Sequence, residues 1–367
     1  MFLPSLAGGG AESASLRIAT ALVDRGHQVD LLTARVDQAP NNRPDERLRY
    51  STFGRRHTRS AIRPLADHLR TTRPDVLVTA MDPANVAGLV AARLSGTRVP
   101  VVVTFHSDVV AASRGSRRMF SHVRPAVARW TIRRADHVVA ISKGVRGSLD
   151  ELAPSSGTKV TTIYNPTVHD GIFDLAAEPV SGVDGVDLAE TVLAVGRLAP
   201  VKGFDVLLRA FGRVVQEHPD MHLVIVGEGP LRGELEALAM SLDIADRVHL
   251  PGYVVNPYQY MARCRVFALS SRWEGLPTVL VEAGVLGCTI VATDCPSGPR
   301  ELLAGRAQAT LVPVDDPDAL AAAIIAARSR PRQISVGEWH QHTMIESGRR
   351  YERVLLDVVS RAGQPPG

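Results

Sequence analysis

Two glutamates eight residues apart are the residues in this chain whose type and spacing most directly indicate chemistry. Glu274 lies in the loop-like run SRWEGL, and Glu282 lies in the apolar, helix-like run that follows it. A buried carboxylate is costly unless it accepts hydrogen bonds, and a ribose diol offers two donors. The helix start between them favours a phosphate, because its free N–H groups face an anion. We therefore expect Glu274 to meet sugar hydroxyls and Glu282 to hold a ribose; the alternative is a solvated glutamate with a helix-capping one.

A second pair of candidates is cationic and lies in the run VGRLAPVKGF. Arg197 and Lys202 follow the strand-like run TVLAV, and the chain has only three lysines. A forked guanidinium and a compact ammonium form charge-assisted hydrogen bonds to a diphosphate and neutralise it as it leaves. The pair predicts a diphosphate site, with ordinary surface charge as the alternative.

Two further groups of candidates lie in the first half of the chain. Gly9 and Gly10, in AGGGAES, let a backbone approach a ligand closely or simply make a tight turn. His106 and Asp108 follow directly on the apolar run VVVTF, so we expect them at the carboxyl end of a buried strand. That position suits a catalytic histidine, although a lone histidine is more often structural. The chain contains neither G-x-G-x-x-G nor a Walker motif.

The elements that must position these residues alternate between two periodicities. Short β-branched runs are separated by segments with apolar residues three and four apart. They predict an α/β fold, in which strands buried on both faces form parallel, doubly wound sheets. Because the pattern occurs in both halves, we expect two Rossmann-like domains with an interdomain cleft at the carboxyl ends of their strands. The predicted strands are QVDLLT, DVLVTA, PVVVTF, DHVVAIS, TVLAVG, HLVIVG, CRVFALS and CTIVAT.

A break in this pattern near residues 164–190 predicts the domain boundary. The chain there is rich in Gly, Pro and acidic residues and has no hydrophobic period. We expect an N-terminal domain at 1–165, a C-terminal domain at 166–345 and a final helix at 346–367. Packing of that helix back on the N-terminal domain is one of its two options.

Composition excludes several classes of protein. The apolar fraction of 45% and the charged fraction of 22% are those of a globular protein. No apolar run reaches twenty residues and no secretory signal is evident, so we expect neither a membrane span nor export. Cys264, Cys288 and Cys295 lack zinc-site spacing and no H-E-x-x-H occurs, so we expect buried reduced thiols and no metal. The acidic run at 315–318 is better explained as a helix cap than as a metal-binding D-x-D.

Charge is divided unevenly between the two halves. Residues 1–165 carry a net +11 and the remainder −7, which together give the chain's +4. The basic half predicts an anionic partner. Its segment 114–137 interleaves apolar residues with seven arginines, as a helix lying on an anionic membrane does; packing on its own sheet is the alternative. A nucleic acid is not expected, because aromatic residues make up only 5% of the chain. The interleaved apolar residues are Phe120, Val123, Val127, Trp130 and Ile132.

With these elements in this order, the chain resembles family 4 of the retaining nucleotide-sugar glycosyltransferases, which have the two-domain GT-B fold. The motifs that carry the resemblance cover nearly the whole chain, and Glu274 and Glu282 match the family's E-x7-E motif. One feature departs: the family begins with a full strand, whereas MFLPSL supplies about half of one, so we expect a late start codon or a short first strand. The matching motifs are GGGAE, TFHSD, ISKGVRGSL, IYNP, GRLAPVKGFDVLLRAF, LVIVGEGPLRGELE, SRWEGLPTVLVEAGVLG and VATDCPSGPRELL.

The resemblance implies a role for each candidate in the second half. It implies that Arg197 and Lys202 grip the donor diphosphate and that Glu282 binds the ribose. It further implies that Glu274 meets hydroxyls of the transferred sugar, with the backbone of four neighbours beside it. Those neighbours are Gly275, Leu276, Pro277 and Thr278.

In the first half, the resemblance implies that His106 lies near the sugar and that Gly9 and Gly10 line the reaction centre. Ser142 and Lys143 match the cleft edge less firmly. The family transfers the sugar with retention, by front-face attack of the acceptor hydroxyl as the diphosphate departs, and generally without a metal. This suits a chain with no obvious enzymic nucleophile. The catalytic set so implied is His106, Arg197, Lys202 and Glu274.

The run CPSGPREL is similar to that of members using a UDP-hexose or UDP-N-acetylhexosamine, with GDP-mannose as the alternative. We expect no other cofactor. The expected acceptor is a lipid-linked or cell-surface glycan, handled by a cytoplasmic enzyme peripheral at the inner membrane face; a small-molecule acceptor is its variant. A hypothesis of a different class is a non-catalytic nucleotide-sugar-binding protein or partner subunit. The intact Arg197, Lys202, Glu274 and Glu282 count against it.

Overall fold

A computed structural model describes residues 1–7, 9–36, 44–114, 123–154, 157–183 and 185–363. The chain divides into two compact units. The first comprises Met1–Thr167 together with Gln341–Gly367, and the second comprises Val168–His340.

The described part of the first unit is built on a seven-stranded, wholly parallel sheet of order β3-β2-β1-β4-β5-β6-β7. Its strands are β1 (Phe2–Leu3), β2 (Asp30–Thr33), β3 (Arg49–Thr52), β4 (Leu77–Ala80), β5 (Val101–Phe105), β6 (His137–Ala140) and β7 (Val160–Thr162). Its helices are α1 (Gly10–Asp24), α2 (Ile62–Thr72), α3 (Asp82–Ser95), α4 (Val109–Arg114), α5 (Val123–Arg134) and α6 (Lys143–Leu152). A short 3-10 helix spans Thr58–Ala61.

The second unit carries a six-stranded parallel sheet of order β10-β9-β8-β11-β12-β13 among its described residues. Its strands are β8 (Thr191–Val195), β9 (His222–Val226), β10 (Val248–Gly252), β11 (Val266–Leu269), β12 (Thr289–Thr293) and β13 (Ala309–Val312). Its helices are α7 (Ile172–Ala177), α8 (Phe204–Glu217), α9 (Arg232–Ser241), α10 (Tyr258–Met261), α11 (Thr278–Val285), α12 (Pro299–Leu303) and α13 (Pro317–Arg328). Short 3-10 helices span Leu188–Glu190, Pro200–Lys202 and Ala245–Arg247, and a further one, Gly337–His342, begins in this unit and ends in the first.

The predicted α/β class with two doubly wound parallel sheets is confirmed. All eight predicted strands are present, and most are buried on both faces, as helices on each side of a parallel sheet require. Strand β1, only two residues long, is the short first strand that was one of the two expectations for MFLPSL. Four strands were not predicted: β7 is very short, β3 is exposed along its whole length, and β10 and β13 are mostly half-buried. Their sequences therefore lack the continuous apolar run on which the prediction depended.

The final helix, α14 (Met344–Ala362), belongs to the first unit. Thr343 caps it, its hydroxyl accepting from the Glu346 N–H. Its buried residue Tyr351 lies with its hydroxyl 3.2 Å from that of Thr104 on β5, and Ser347 donates to the Tyr164 carbonyl at 2.9 Å. These contacts anchor a distant part of the sequence to the carboxyl half of the first sheet.

Two further expectations concern membrane-spanning helices and the cysteines. None of the helices that the described ranges contain has an apolar stretch long enough to span a bilayer. Cys264, Cys288 and Cys295 are free thiols, and all three are buried, which confirms the expectation.

Candidate functional site

The candidate site of the second unit lies where β8 and β11 end. These strands are neighbours and run parallel, so the loops that follow them meet at the same, carboxyl, edge of the sheet. Gly203, in the first loop, has φ of +60°, and a Cβ there would lie 2.1 Å from the Ser270 carbonyl oxygen in the second. Only glycine allows the two loops to approach this closely.

Lys202 and Glu274, one from each loop, form an ion pair. The Lys202 Nζ donates to Glu274 Oε1 at 2.7 Å, and Ser271 Oγ donates to the same oxygen at 2.6 Å. The side chains are 20% and 12% exposed, so this is a mostly buried pair that keeps some access to solvent. The structure thus brings together two of the predicted catalytic residues, which are distant in sequence.

The segment after Glu274 is held by backbone contacts. The Glu274 N–H donates to the Pro296 carbonyl at 3.3 Å, and α11 begins at Thr278 after Pro277. Gly298 has φ of +100°, and a Cβ there would lie 2.4 Å from Pro277 Cδ. Gly275, Leu276 and Pro277 are buried, so this approach to the helix start is tightly packed.

Glu282 lies on α11 as predicted, and it is only 8% exposed. The Tyr258 hydroxyl, at the start of α10, donates to Glu282 Oε1 at 3.4 Å. The Tyr258 ring also lies edge-on to the His169 ring, with centroids 5.8 Å apart. The carboxylate therefore has a partner in the protein, and Tyr258 is a contributor that the sequence did not reveal.

Arg197 differs from Lys202 although both belong to the loop after β8. Its side chain is exposed, and among the residues that the structure describes it makes no hydrogen bond or ion pair. It directly follows Gly196, whose N–H donates to the Val226 carbonyl at 2.9 Å. An unpaired guanidinium beside a paired ammonium leaves the loop able to receive an anion.

A third cation at this edge, Arg272, was not singled out from the sequence. Its guanidinium donates from Nη1 and Nη2 to Asp205 at 3.1 and 2.8 Å, and from Nε to Asp315 at 2.7 Å. Nη1 also donates to the Pro200 carbonyl at 2.6 Å, and the backbone N–H of Arg272 donates to the Val201 carbonyl at 2.8 Å. Burial opposes ionisation of Asp205, but the hydrogen bond and charge of Arg272 outweigh it and lower the pKa of Asp205.

Cys295 lies close enough to this site to respond to its charges. Burial first, and then the negative charge of Glu274, raise the pKa of the Cys295 thiol to about 12. The thiol is therefore protonated at neutral pH and is not a nucleophile.

The predicted catalytic histidine of the first unit directly follows β5. Nδ1 of His106 is buried and has no hydrogen-bond partner among the described residues. Burial lowers the pKa of His106 to about 4, so its imidazole is neutral at pH 7. Asp108 has a structural role, because its Oδ1 accepts from the Ala111 N–H at 2.9 Å at the start of α4.

The glycine loop and the Ser142 segment mark the starts of two helices in the first unit. Gly9 is the N-cap of α1 with φ of −82°, and Gly10 is the first residue of that helix. Neither position therefore requires glycine for a left-handed backbone conformation. A Cβ on Gly9 would lie 2.4 Å from Glu12 Oε2. Ser142 caps α6, its Oγ accepting from the Val145 N–H at 3.0 Å, and Lys143 opens that helix.

The acidic run at 315–318 has the structural roles that its position suggests. Asp316 caps α13 by accepting from the Ala319 N–H at 2.9 Å, which confirms the capping expectation. Asp315 pairs with Arg272, and Asp318 pairs with Arg213 at 2.7 Å. Within the described ranges, no three His, Cys, Asp or Glu side chains are grouped so that they hold a metal ion.

The basic segment of the first unit is described only in part. Phe120 lies outside the described residues. On α5, Ile132 is buried, whereas Val123 and Trp130 are 53% and 39% exposed. The helix therefore packs one face inward and presents the other with exposed arginines, namely Arg129, Arg133 and Arg134.

Comparisons with protein families match both halves of the chain. A family described as "Glycosyltransferase Family 4" matches residues 8–170, and one described as "Glycosyl transferases group 1" matches residues 189–329.

Two curated relatives come from Campylobacter jejuni. One, named as an N-acetylgalactosamine-N,N'-diacetylbacillosaminyl-diphospho-undecaprenol 4-alpha-N-acetylgalactosaminyltransferase, is 36% identical over 51% of this chain and 49% of its own length. The chain thus spans about half the length of that relative. The other, named as a GalNAc-alpha-(1->4)-GalNAc-alpha-(1->3)-diNAcBac-PP-undecaprenol alpha-1,4-N-acetyl-D-galactosaminyltransferase, is 26% identical over 87% of this chain and 85% of its own length.

Among solved structures, the chain is similar to Anabaena Alr3699/HepE in complex with UDP and glucose. The TM-score is 0.70 at 22% identity, covering 98% of this chain and 96% of the other. At that level of identity the likeness shows a common fold.

Proposed function

The chain belongs to the family 4 glycosyltransferases, and from that premise we propose that it moves a hexose or N-acetylhexosamine from a UDP-sugar to an acceptor hydroxyl with retention of configuration. The observation that carries the proposal is the ion pair between Lys202 Nζ and Glu274 Oε1, 2.7 Å apart at the carboxyl edge of the second sheet. Ligands of doubly wound domains bind at that edge.

The donor is proposed to lie along this edge with its diphosphate between the transferred sugar and the ribose. The exposed Arg197 and the half-buried Lys202 supply positive charge for the diphosphate. Glu274 and the backbone of residues 275–278 receive the transferred sugar, and the N–H groups at the start of α11 add a positive dipole end. Glu282, held by Tyr258, accepts hydrogen bonds from the ribose diol.

The mechanism proposed is stabilisation of the leaving diphosphate. As the glycosidic bond to phosphate breaks, negative charge develops on the diphosphate, and Lys202 and Arg197 are placed to neutralise it. Lys202 is fixed beforehand by Glu274, so little reorganisation is needed when charge develops. These two cations take the part that a metal ion plays in other transferases, and on that ground we propose a metal-independent reaction.

The first unit is proposed to hold the acceptor. His106, neutral because burial lowers its pKa to about 4, is suited to accept or donate a hydrogen bond near the sugar without adding charge. Gly9 and Gly10 are proposed to line the reaction centre through the start of α1, and Ser142 and Lys143 to mark its edge.

The identity of donor and acceptor is supported by the relatives. The Anabaena protein was crystallised with UDP and glucose, which supports a UDP-sugar. The names of both Campylobacter proteins give undecaprenol diphosphate-linked acceptors and N-acetylgalactosamine as the sugar transferred. We therefore propose a lipid-linked glycan acceptor and an N-acetylhexosamine or hexose donor.

A lipid-linked acceptor is reached at a membrane surface, and α5 is the proposed contact. Its exposed Val123 and Trp130 lie beside exposed arginines, which is the composition of a helix on an anionic interface. Sedimentation with phosphatidylglycerol vesicles at low salt tests this point. Protein that stays in the supernatant under those conditions excludes α5 as a membrane contact.

A panel of nucleotide sugars tests the proposed function. UDP-sugars are expected to raise the unfolding midpoint more than GDP-mannose, because a ligand that binds only the folded state stabilises it. UDP-N-acetylgalactosamine or UDP-glucose is then incubated with the protein, and released UDP is measured. Stabilisation without UDP release even with a lipid-linked acceptor would indicate the non-catalytic binding protein instead. No stabilisation by any nucleotide sugar would overturn both readings.

A further inference from the structure

Arg272, at the carboxyl edge of the second sheet, makes four side-chain hydrogen bonds and has no assigned role. It lies two residues before Glu274, on the loop after β11. Its guanidinium contacts the Pro200 carbonyl in the Lys202 loop, Asp205 in the first turn of α8 and Asp315 just before α13, while its backbone N–H donates to the Val201 carbonyl. Arg272 therefore joins its own loop to two other segments, the stretch 200–205 and the stretch before α13.

The contacts use the shape of the guanidinium and not only its charge. Two nitrogens bind the two oxygens of Asp205, at 3.1 and 2.8 Å, and a third nitrogen binds Asp315 at 2.7 Å. The side chain is 30% exposed, so it is well packed but not fully buried. A lysine at this position carries the same charge and cannot make this planar set of bonds.

We infer that Arg272 is a positioning residue, which locks the Lys202 loop onto the Glu274 loop so that ammonium and carboxylate present a single preformed surface to the donor. The Arg272 guanidinium donates to the Pro200 carbonyl, two residues before Lys202, and the Arg272 backbone N–H, which a substitution leaves in place, donates to the Val201 carbonyl. A further bond, from Ser270 Oγ to the Lys202 carbonyl at 2.8 Å, joins the same loops. The expected effect on catalysis rests on the proposed function, whereas the lock between the two loops does not.

The chain offers a matched control in Arg328. Its side chain is 31% exposed, and it too joins two acids, Glu190 at 2.8 Å and Asp220 at 3.3 Å. Glu190 directly precedes β8 and Asp220 precedes β9, so Arg328 lies at the opposite, amino, edge of the sheet. Arg328→Met thus removes a comparable pair of contacts away from the candidate site.

The first measurement needs no substrate. A double-mutant cycle of Lys202→Met and Glu274→Gln gives the coupling between these two residues in unfolding free energy. We expect that coupling to disappear in the Arg272→Met background and to persist in the Arg328→Met background. Equal coupling in both backgrounds overturns the lock. If Arg272→Met does not fold, Arg272→Lys, which keeps the charge but not the planar set of bonds, replaces it, and undiminished coupling there overturns the lock equally.

The second measurement is UDP release from UDP-N-acetylgalactosamine or UDP-glucose. Arg272→Met is expected to slow release by about a hundredfold, the loss typical of a small misplacement of catalytic groups. In a Lys202→Met background the same change should cost less than about threefold, since the residue it positions is gone. If the losses of the two single variants multiply in the Arg272→Met, Lys202→Met double variant, the positioning role is overturned. Full activity in Arg272→Lys would overturn it as well. A wild-type protein that releases no UDP refutes the proposed function, while the stability cycle still decides the lock.

Discussion

The two edges of the second sheet contain similar charged residues, but these are arranged for different purposes. At the amino edge Arg328 and Arg265 share Glu190, and Arg328 also reaches Asp220. At the carboxyl edge Arg272 joins Asp205 and Asp315, Lys202 pairs with Glu274, and Arg197 stays exposed. The named arginines of the amino edge are all paired, whereas the carboxyl edge keeps one cation available.

The difference indicates that paired charges alone do not identify a site. Partly exposed ion pairs contribute about 1 kcal/mol or less to stability, so either edge would serve a purely structural purpose. What distinguishes the carboxyl edge is backbone that allows close approach, at Gly203 and Gly298, next to a helix start. An anion finds charge and N–H donors together there, and this combination supports a binding site.

The largest expected difference between the edges is the effect on turnover. Lys202→Met should slow UDP release by roughly a hundredfold to a thousandfold, because a donor aimed at the developing charge is lost. Arg328→Met should change it by less than about twofold while lowering the free energy of unfolding by about 1 kcal/mol or less. Both are measured by steady-state UDP release and by denaturant unfolding. Similar losses of turnover in the two variants would remove the functional distinction between the edges.

A smaller effect is expected at Glu282, which separates binding from chemistry within the carboxyl edge. Glu282→Gln keeps the size of the side chain and loses its charge, so the donor KM should rise roughly tenfold with kcat little changed. Ribose contacts are the same in the ground state and the transition state, which is why the effect falls on KM. Tyr258→Phe, which removes only the hydroxyl that donates to Glu282, is the milder companion variant. A fall in kcat with unchanged KM would argue against ribose binding.

The smallest effect is expected at a histidine pair near the amino ends of β9 and β10. His222 Nδ1 and His249 Nε2 lie 2.9 Å apart. Burial lowers the pKa of both residues, followed by the charge of Arg247 for His222 and that of His222 for His249. Because the folded pKa values lie below the ordinary one near 6.5, the stability that the neutral forms contribute is present above that pH and is lost as the pH falls below it.

Denaturant unfolding between pH 7.5 and pH 5 checks this expectation. The free energy of unfolding should fall less steeply with acidification in His249→Gln than in the wild type. His106 and His137, whose pKa values burial lowers to about 4, contribute the same sign in every variant and cancel in the comparison. An unchanged slope in His249→Gln would show that the pair does not titrate with folding.

The fold could be predicted wherever burial produces a recognisable pattern of apolar residues in the local sequence. Strands such as β5 and β8 have four apolar residues in five because helices cover both faces, and so short a run is enough to predict them. Strand β3 is exposed along its length, and its pairing with β2 is decided by the sheet and not by its own residues. The final helix begins at Met344, after a 3-10 helix at Gly337–His342, so its start was predicted only approximately.

The candidate site was likewise predictable only in part from the sequence. The spacing along the chain was enough to predict that Glu274 and Glu282 are eight residues apart around a helix start and that Arg197 and Lys202 follow a strand, because these are local facts. The contact of Lys202 with Glu274, 72 residues away, and that of Arg272 with Asp205, 67 residues away, could be found only in the folded chain. Such contacts arise when parallel strands bring their carboxyl ends to one edge, and no spacing along the chain records which side chains will then be in reach.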